Sequence, residues 1–248
     1  MKKNILIFCT VFTAFSLMAF GIIQKSDLEK VSIEKPDVEL FYNIGSKFGT
    51  TITKEKLHKA TSVVDILPKE TDWPSYPIQS MNVTVFRGSI ETSELGKHLA
   101  LNTAQQQLLR TLNYSDSFSF KAPFKGKHKD TGDLETYDLF YRFTVTPEKE
   151  TQYAKGDYAL IKYLKENSTA QTANIKQDQL ERGALNFTIS KTGTLTNINL
   201  VSTSGYPSLD EVMIELINNL PEIWEPAENS KGEKVDQELV FSFGGGGC

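Results

Sequence analysis

The side chains that could carry proton or metal chemistry in this 248-residue chain are three histidines, two cysteines and 31 carboxylates. His58, His98 and His128 stand far apart, each beside a lysine. A zinc ion needs three or four protein ligands, and the further ligands are not visible around any of the three. They read as solvated histidines, and neither a metal nor a cofactor is expected. Cys248 closes a run of four glycines, which is no setting for a Cys–His nucleophile. The chain has no Gly-x-Ser-x-Gly elbow, no His-Glu-x-x-His, no phosphate-binding loop and no dinucleotide glycine fingerprint. We expect no enzyme. Carboxylates are plentiful, but their placement is not readable from sequence, so an acid–base pair stays open as the mark of an unrecognised hydrolase.

Chemistry of recognition is easier to place. Val235, Gln237, Leu239, Phe241 and Phe243 alternate through the last strand. At a sheet edge, the free backbone groups of that strand could accept a strand from a partner. The structural alternative is an edge covered by the chain itself or by a second copy in a homodimer. Trp224 stands between a helix and a proline, where a single Trp more often plugs the core than anchors a partner.

The elements that must position these residues follow from periodicity. Leu209, Val212, Met213, Leu216, Ile217 and Leu220 share one helical face. Ser208 and Glu211 have the spacing of a capping box, and Pro221 stops the helix. Before that helix, Leu185, Phe187 and Ile189 form a strand, Lys191-Thr192-Gly193 turns, and Thr194 to Val201 returns. Earlier still, Gly156-Asp157 opens a helix that packs through Tyr158, Ile161 and Leu164, and Ser168 to Gln179 reads as a loop. Met81–Arg87, Phe118–Ala122 and the run from Tyr137 to Val145 alternate as strands, and Asn102 or Thr103 caps a helix through Leu112. Residues 25–77 carry weaker signals, namely a short strand at Val38–Tyr42, a helix from Thr53 to Val64, and three prolines around Trp73. The fold class is α+β. A β-rich module with one helix at 78–147 precedes a C-terminal antiparallel three-stranded sheet packed with two helices at 150–243, and a flexible tail follows at 244–248.

The start of the chain reads as an export signal. Lys2-Lys3 precede the uncharged 19-residue run Ile5–Ile23, and Ala19-Phe20-Gly21 provides small residues for cleavage after Gly21. The run is also just long enough to anchor the chain in a bilayer. Either way the body lies outside the cytoplasm, in the periplasm or cell envelope. Cleavage removes Cys9 and leaves Cys248 without an intramolecular partner, so the fold must stand on its core. The net charge of -4 provides no basic footprint, which argues against nucleic acid as a partner.

Several spaced motifs agree in order: Gly183-Ala-Leu-Asn-Phe-Thr-Ile-Ser-Lys-Thr-Gly193, Pro207-Ser-Leu-Asp210, Leu220-Pro-Glu-Ile-Trp224-Glu-Pro-Ala227, Lys231-Gly232 and a closing strand. In these, residues 150–243 resemble the TonB C-terminal domain family. The resemblance implies a periplasmic protein-interaction domain, envelope proteins as partners, among them an outer-membrane receptor, strand pairing at the last strand, and a role in TonB-dependent energy transduction and transport. No proline-rich spacer precedes the domain, so an interaction module fits better than the tip of a long transducer. Arg87-Gly88, Leu101-Asn-Thr-Ala-Gln105, Leu108 and Tyr114-Ser-Asp-Ser-Phe-Ser-Phe120 are more faintly similar to repeats of the periplasmic shaft protein of gliding-motility secretion machinery. That second resemblance implies a structural or accessory component of an envelope machine.

Overall fold

The computed structural model describes residues 38–71, 74, 77–172, 175–221 and 223–246. The expectations made for residues 1–23, Trp73 and Cys248 lie outside them. From the N-terminal side come β1 (Phe41–Gly45), β2 (Thr51–Thr53), α1 (Lys54–Lys59) and a single 3-10 turn at Val63–Asp65. There follow β3 (Ser80–Arg87), β4 (Ile90–Lys97), α2 (Thr103–Arg110), β5 (Ser117–Lys127) and β6 (Leu134–Thr146). The C-terminal part has β7 (Gln152–Tyr153), α3 (Gly156–Thr172), β8 (Arg182–Ile189), β9 (Leu195–Ser202) and α4 (Pro207–Asn218). It closes with β10 (Trp224–Glu225), β11 (Ala227–Glu228), β12 (Lys234–Val235) and β13 (Gln237–Gly244).

The fold is α+β, with a five-stranded sheet in the order β2-β6-β5-β3-β4 and a four-stranded sheet in the order β1-β13-β8-β9. Every pairing within these two sheets is antiparallel except β2 on β6. The C-terminal sheet therefore has four strands where the sequence suggests three. The added strand comes from residues 41–45, a part of the chain with weak sequence signals. Residues 41–53 supply one strand to each sheet, β1 to the four-stranded one and β2 to the five-stranded one. From Val38 onward the described residues belong to one compact unit.

Two apolar clusters match the two sheets. In the first, Met81, Val83, Val85, Phe118, Phe120, Phe143 and Val145 line one sheet face, and Leu57 of α1 and Leu109 of α2 cover it. In the second, Leu185, Phe187, Ile189, Leu239, Phe241 and Phe243 meet Leu160 and Leu164 of α3 and Leu209, Met213 and Ile217 of α4. Trp224 is 4 % exposed, with its ring centroid 5.4 Å from that of Tyr153 and 5.9 Å from that of Phe187. It plugs the second cluster. Gly193 makes the β8–β9 turn at φ +79, and the carbonyl of Trp224 lies where a β-carbon would go. Only glycine meets both demands.

Local chemistry moved several expected boundaries. The helix expected over Thr53–Val64 stops at Lys59, because the Asp65 carboxylate accepts the N–H groups of Thr61 and Ser62 at 2.9 Å each and starts a separate turn. Those two bonds hold the Asp65 carboxyl below its ordinary range. Helix α3 runs on to Thr172, into the start of the Ser168–Gln179 stretch expected as a loop. Its buried face is Leu160, Leu164, Ser168 and Thr172, while Tyr158, expected to pack, is 83 % exposed. The polar members of that face are satisfied: Thr172 Oγ1 donates to the carbonyl of Thr169 at 2.7 Å, and Ser168 Oγ pairs with the Tyr42 hydroxyl at 2.7 Å. On α4 the expected Ser208–Glu211 capping box does not form. Pro207 holds the first turn, as its fixed φ allows. Asp210, 4 % exposed, turns back instead to accept the Ser204 N–H at 2.9 Å and the Thr203 hydroxyl at 2.5 Å.

Candidate partner-binding edges

Of the five residues expected to receive a partner strand, the four on β13 do not lie on an edge. Val235 belongs to β12 and pairs with Ala227 of β11. Gln237, Leu239, Phe241 and Phe243 belong to β13, which has β8 along one side and β1 along the other. β1 runs antiparallel from Phe41 opposite Gly244 to Gly45 opposite Val240. Leu239, Phe241 and Phe243 turn their side chains into the core. Gln237 is 2 % exposed; its Oε1 accepts the Thr151 N–H at 2.8 Å and its Nε2 donates to Glu150 at 2.7 Å. The four β13 residues are structural residues of an interior strand, and Val235 lies in a separate two-stranded ribbon with β11.

Energetics decide whether β1 could vacate that edge for a partner. Val38 and Leu40 lead into it at 3 % and 5 % exposure as members of the second cluster. Tyr42 stacks on Phe241 with centroids 6.2 Å apart and bonds Ser168 on α3. Exposing Val38 and Leu40 alone would cost roughly 3–6 kcal/mol, which is on the order of the whole stability of many domains. β1 is therefore part of the sheet, and β13 has a strand along each side.

The outer strands are β1 and β9 of one sheet and β2 and β4 of the other. β9 departs from regular pairing at two places, and Asn197 within it has φ 55. Bulges of this kind twist an edge away from further pairing. β2 is three residues long and runs straight into α1, and β1 has five residues. β4 differs from all three, because its eight residues pair with β3 from Lys97 opposite Ser80 to Ile90 opposite Arg87 without an irregularity. Ile90 and Leu95 are 67 % and 68 % exposed.

The ladder from β3 begins at the two-residue turn Gly88-Ser89, where Gly88 takes φ 58. From that closing pair, alternation turns the N–H and C=O groups of Glu91, Ser93, Leu95 and Lys97 away from β3. Only the Leu95 carbonyl has an acceptor role there, receiving the side-chain amide of Asn102 at 3.0 Å. The strand is fixed from its core face by Gln105, which is 1 % exposed and donates to the carbonyls of Met81 at 3.0 Å and Glu94 at 3.2 Å. Gly96 leaves the room that the Gln105 amide fills. Sequence alternation missed β4, since Ile-Glu-Thr-Ser-Glu-Leu-Gly-Lys has no apolar face; the available signal was the Gly-Ser turn directly after a clear strand.

The histidines stay apart. His98 Nδ1 lies 3.3 Å from the carbonyl of Ile78, and His128 Nδ1 accepts the N–H groups of Asp130 and Thr131 at 3.3 and 3.4 Å. His58, on α1, has its Nε2 buried without a partner. Burial, then the charges of Lys54 and Arg110, pushes its pKa below the usual imidazole range. Among the described residues no three His, Cys, Asp or Glu side chains gather as a metal site. No described helix is long and apolar enough to cross a membrane. No family model, curated protein or solved structure matches this chain.

Proposed function

We propose that the chain is an exported, non-enzymatic protein of the cell envelope that binds other proteins by strand addition, with β4 as the receiving edge. The observation that carries this is the open length of β4: eight regularly paired residues with one uncovered side. An extended segment could bond to the outward groups of Glu91, Ser93 and Lys97 and continue the five-stranded sheet. The export signature supports the location. The order helix, hairpin, helix and closing strand in α3, β8, β9, α4 and β13 supports the likeness to TonB C-terminal domains. With β13 enclosed, partner capture of the kind that resemblance implies moves to the other sheet. A second reading, an accessory subunit of an envelope machine, draws on the same edge, because chains that pair at β4 would join sheet to sheet.

The test is capture from an envelope extract with the mature chain as bait, wild type against Ser93→Pro. Proline removes one outward donor and leaves the backbone ladder to β3 intact, losing only the exposed Ser93–Thr84 hydroxyl pair, so the melting temperature should stay close to wild type. The captured protein should be lost. Equal capture by both proteins, or no specific capture by either, overturns the assignment of β4.

A further inference from the structure

The five-stranded sheet has a second face, opposite the one that α1 and α2 cover, and one arginine on it has its Nε buried with no acceptor among the described residues. In-register pairing lines up Ser93 of β4, Thr84 of β3, Ser119 of β5 and Arg142 of β6 across that face. One step along the strands lies the row Leu95, Asn82, Lys121 and Phe140. The Arg142 guanidinium sits between two aromatic rings, 4.1 Å from the centroid of Phe86 and 4.8 Å from that of Phe48. Phe48 is itself fixed by the backbone, since its N–H donates to Thr144 Oγ1 at 2.9 Å while the Thr144 N–H donates to the carbonyl of Thr50 at 3.0 Å.

Stacking satisfies the faces of a guanidinium and leaves its edge donors to be matched. Here the Nε is buried without an acceptor, and Arg142 makes no ion pair among the described residues. The neighbouring cation Lys121 is already matched by Asp138 at 3.0 Å. On one side of Arg142 the face is covered, with Ser119 4 % and Thr144 1 % exposed, and on the other side it opens at Phe140, two residues before Arg142 and 55 % exposed. An arginine beside an exposed aromatic is the composition of a protein interface.

We propose that this outer face docks an acidic segment of another protein, with a carboxylate received by Arg142 and an adjacent apolar side chain laid on Phe140. A clamped guanidinium loses little freedom when a carboxylate pairs with it, and the bidentate geometry favours a planar carboxylate. A polyanion such as nucleic acid would need several free cations, and this face presents Lys121 already paired and Glu91 beside Phe86. The surface lies across the sheet from its β4 edge, and the inference does not rest on the reading of β4.

The experiment is selection from a random peptide display library on the mature chain, with each recovered peptide then measured against wild type, Arg142→Gln, Arg142→Lys and Phe140→Ser. Recovered sequences should be enriched in Asp or Glu next to an aliphatic or aromatic residue. Arg142→Gln should weaken them about 10-fold or more, the size expected for a charge-assisted bond, and added salt should weaken the wild-type interaction. Arg142→Lys keeps the charge and loses the planar fork, so it should recover only part of the affinity. Phe140 is more than half exposed, so Phe140→Ser should fold and still lose affinity, which keeps the test standing if Arg142→Gln fails to fold. Recovery of no acidic motif, or peptides that bind every variant equally, overturns the proposal. So does an Arg142-dependent affinity for a short single-stranded oligothymidine in place of peptides.

Discussion

Removing the anchor of β1 separates a structural strand from a latch. Leu40 is 5 % exposed in the second cluster, one residue before β1 begins. Truncating a buried leucine to alanine loses the transfer free energy and leaves a cavity, together ~2–5 kcal/mol. For a chain of this size each kcal/mol lowers the melting temperature by roughly 2–4 °C, so Leu40→Ala should melt roughly 4–20 °C below wild type. Calorimetry and urea unfolding should show this as a shift of the transition that unfolds the four-stranded sheet, because β1, β13, α3 and α4 share one cluster. A latch would behave otherwise. Its anchor would loosen the segment before β2 and leave the main transition in place, and limited proteolysis would cut near residues 45–50 while the remainder stayed folded. That outcome would refute the reading of β1 and reopen the edge of β13 as a binding site.

Further outcomes follow from the same structure. Ser242→Pro changes a side chain outside the core but removes a backbone donor from a strand paired on both sides, so it should cost about 2–4 kcal/mol in lost bonding and an unmet carbonyl; a wild-type melting curve would contradict the interior position. His58 has a depressed pKa in the fold, so the unfolded chain binds the extra proton first. Stability should therefore be full above pH of about 6.5 and fall as the pH drops below it. His58→Gln should remove that part of the slope in urea midpoints measured between neutral pH and pH of about 5, and an unchanged slope would show that His58 titrates alike in both states. On the proposed export, the mature chain should begin near Ile22, as N-terminal sequencing can establish; a Met1 or Lys2 start in the membrane fraction would mean that the N-terminal run is kept as an anchor.

What the sequence revealed of the fold follows how each residue's partners are distributed. Phe118, Phe120, Phe143 and Val145, and likewise Leu185, Phe187 and Ile189, place every second side chain in an apolar cluster, and that alternation of residue type is readable without tertiary context. The Asn102 cap is local too: its Oδ1 accepts the Gln105 N–H at 2.8 Å, and Gln105 Oε1 returns the bond at 3.1 Å. Elements stabilised by distant partners were harder to read. The polar turns of α3 stay helical because Ser168 finds Tyr42, a residue 126 positions away. β1 became a strand of the C-terminal sheet because Val38 and Leu40 complete a cluster built almost wholly from residues beyond 150. At Asp210 a tertiary bond to Ser204 won over the local capping pattern.

The candidate surfaces were less legible than the fold, for a reason of the same kind. An edge is defined by which neighbour is missing, and alternation within one strand says nothing about its neighbours. Val235–Phe243 has the strongest pattern of any strand near the C-terminus, and that strength follows from being interior: Leu239, Phe241 and Phe243 are apolar because the core claims them. β4 has a weak pattern because solvent meets most of it, with Gly96 and the partly covered Glu94 the exceptions under α2. Strong alternation therefore argued against the role for which it was chosen. Arg142 was hidden by the same logic. Between Tyr141 and Phe143 it reads as the polar half of a strand, and only the rings of Phe86, two strands away and one row along, and of Phe48 turn an ordinary outward arginine into a clamped one with no ion pair among the described residues.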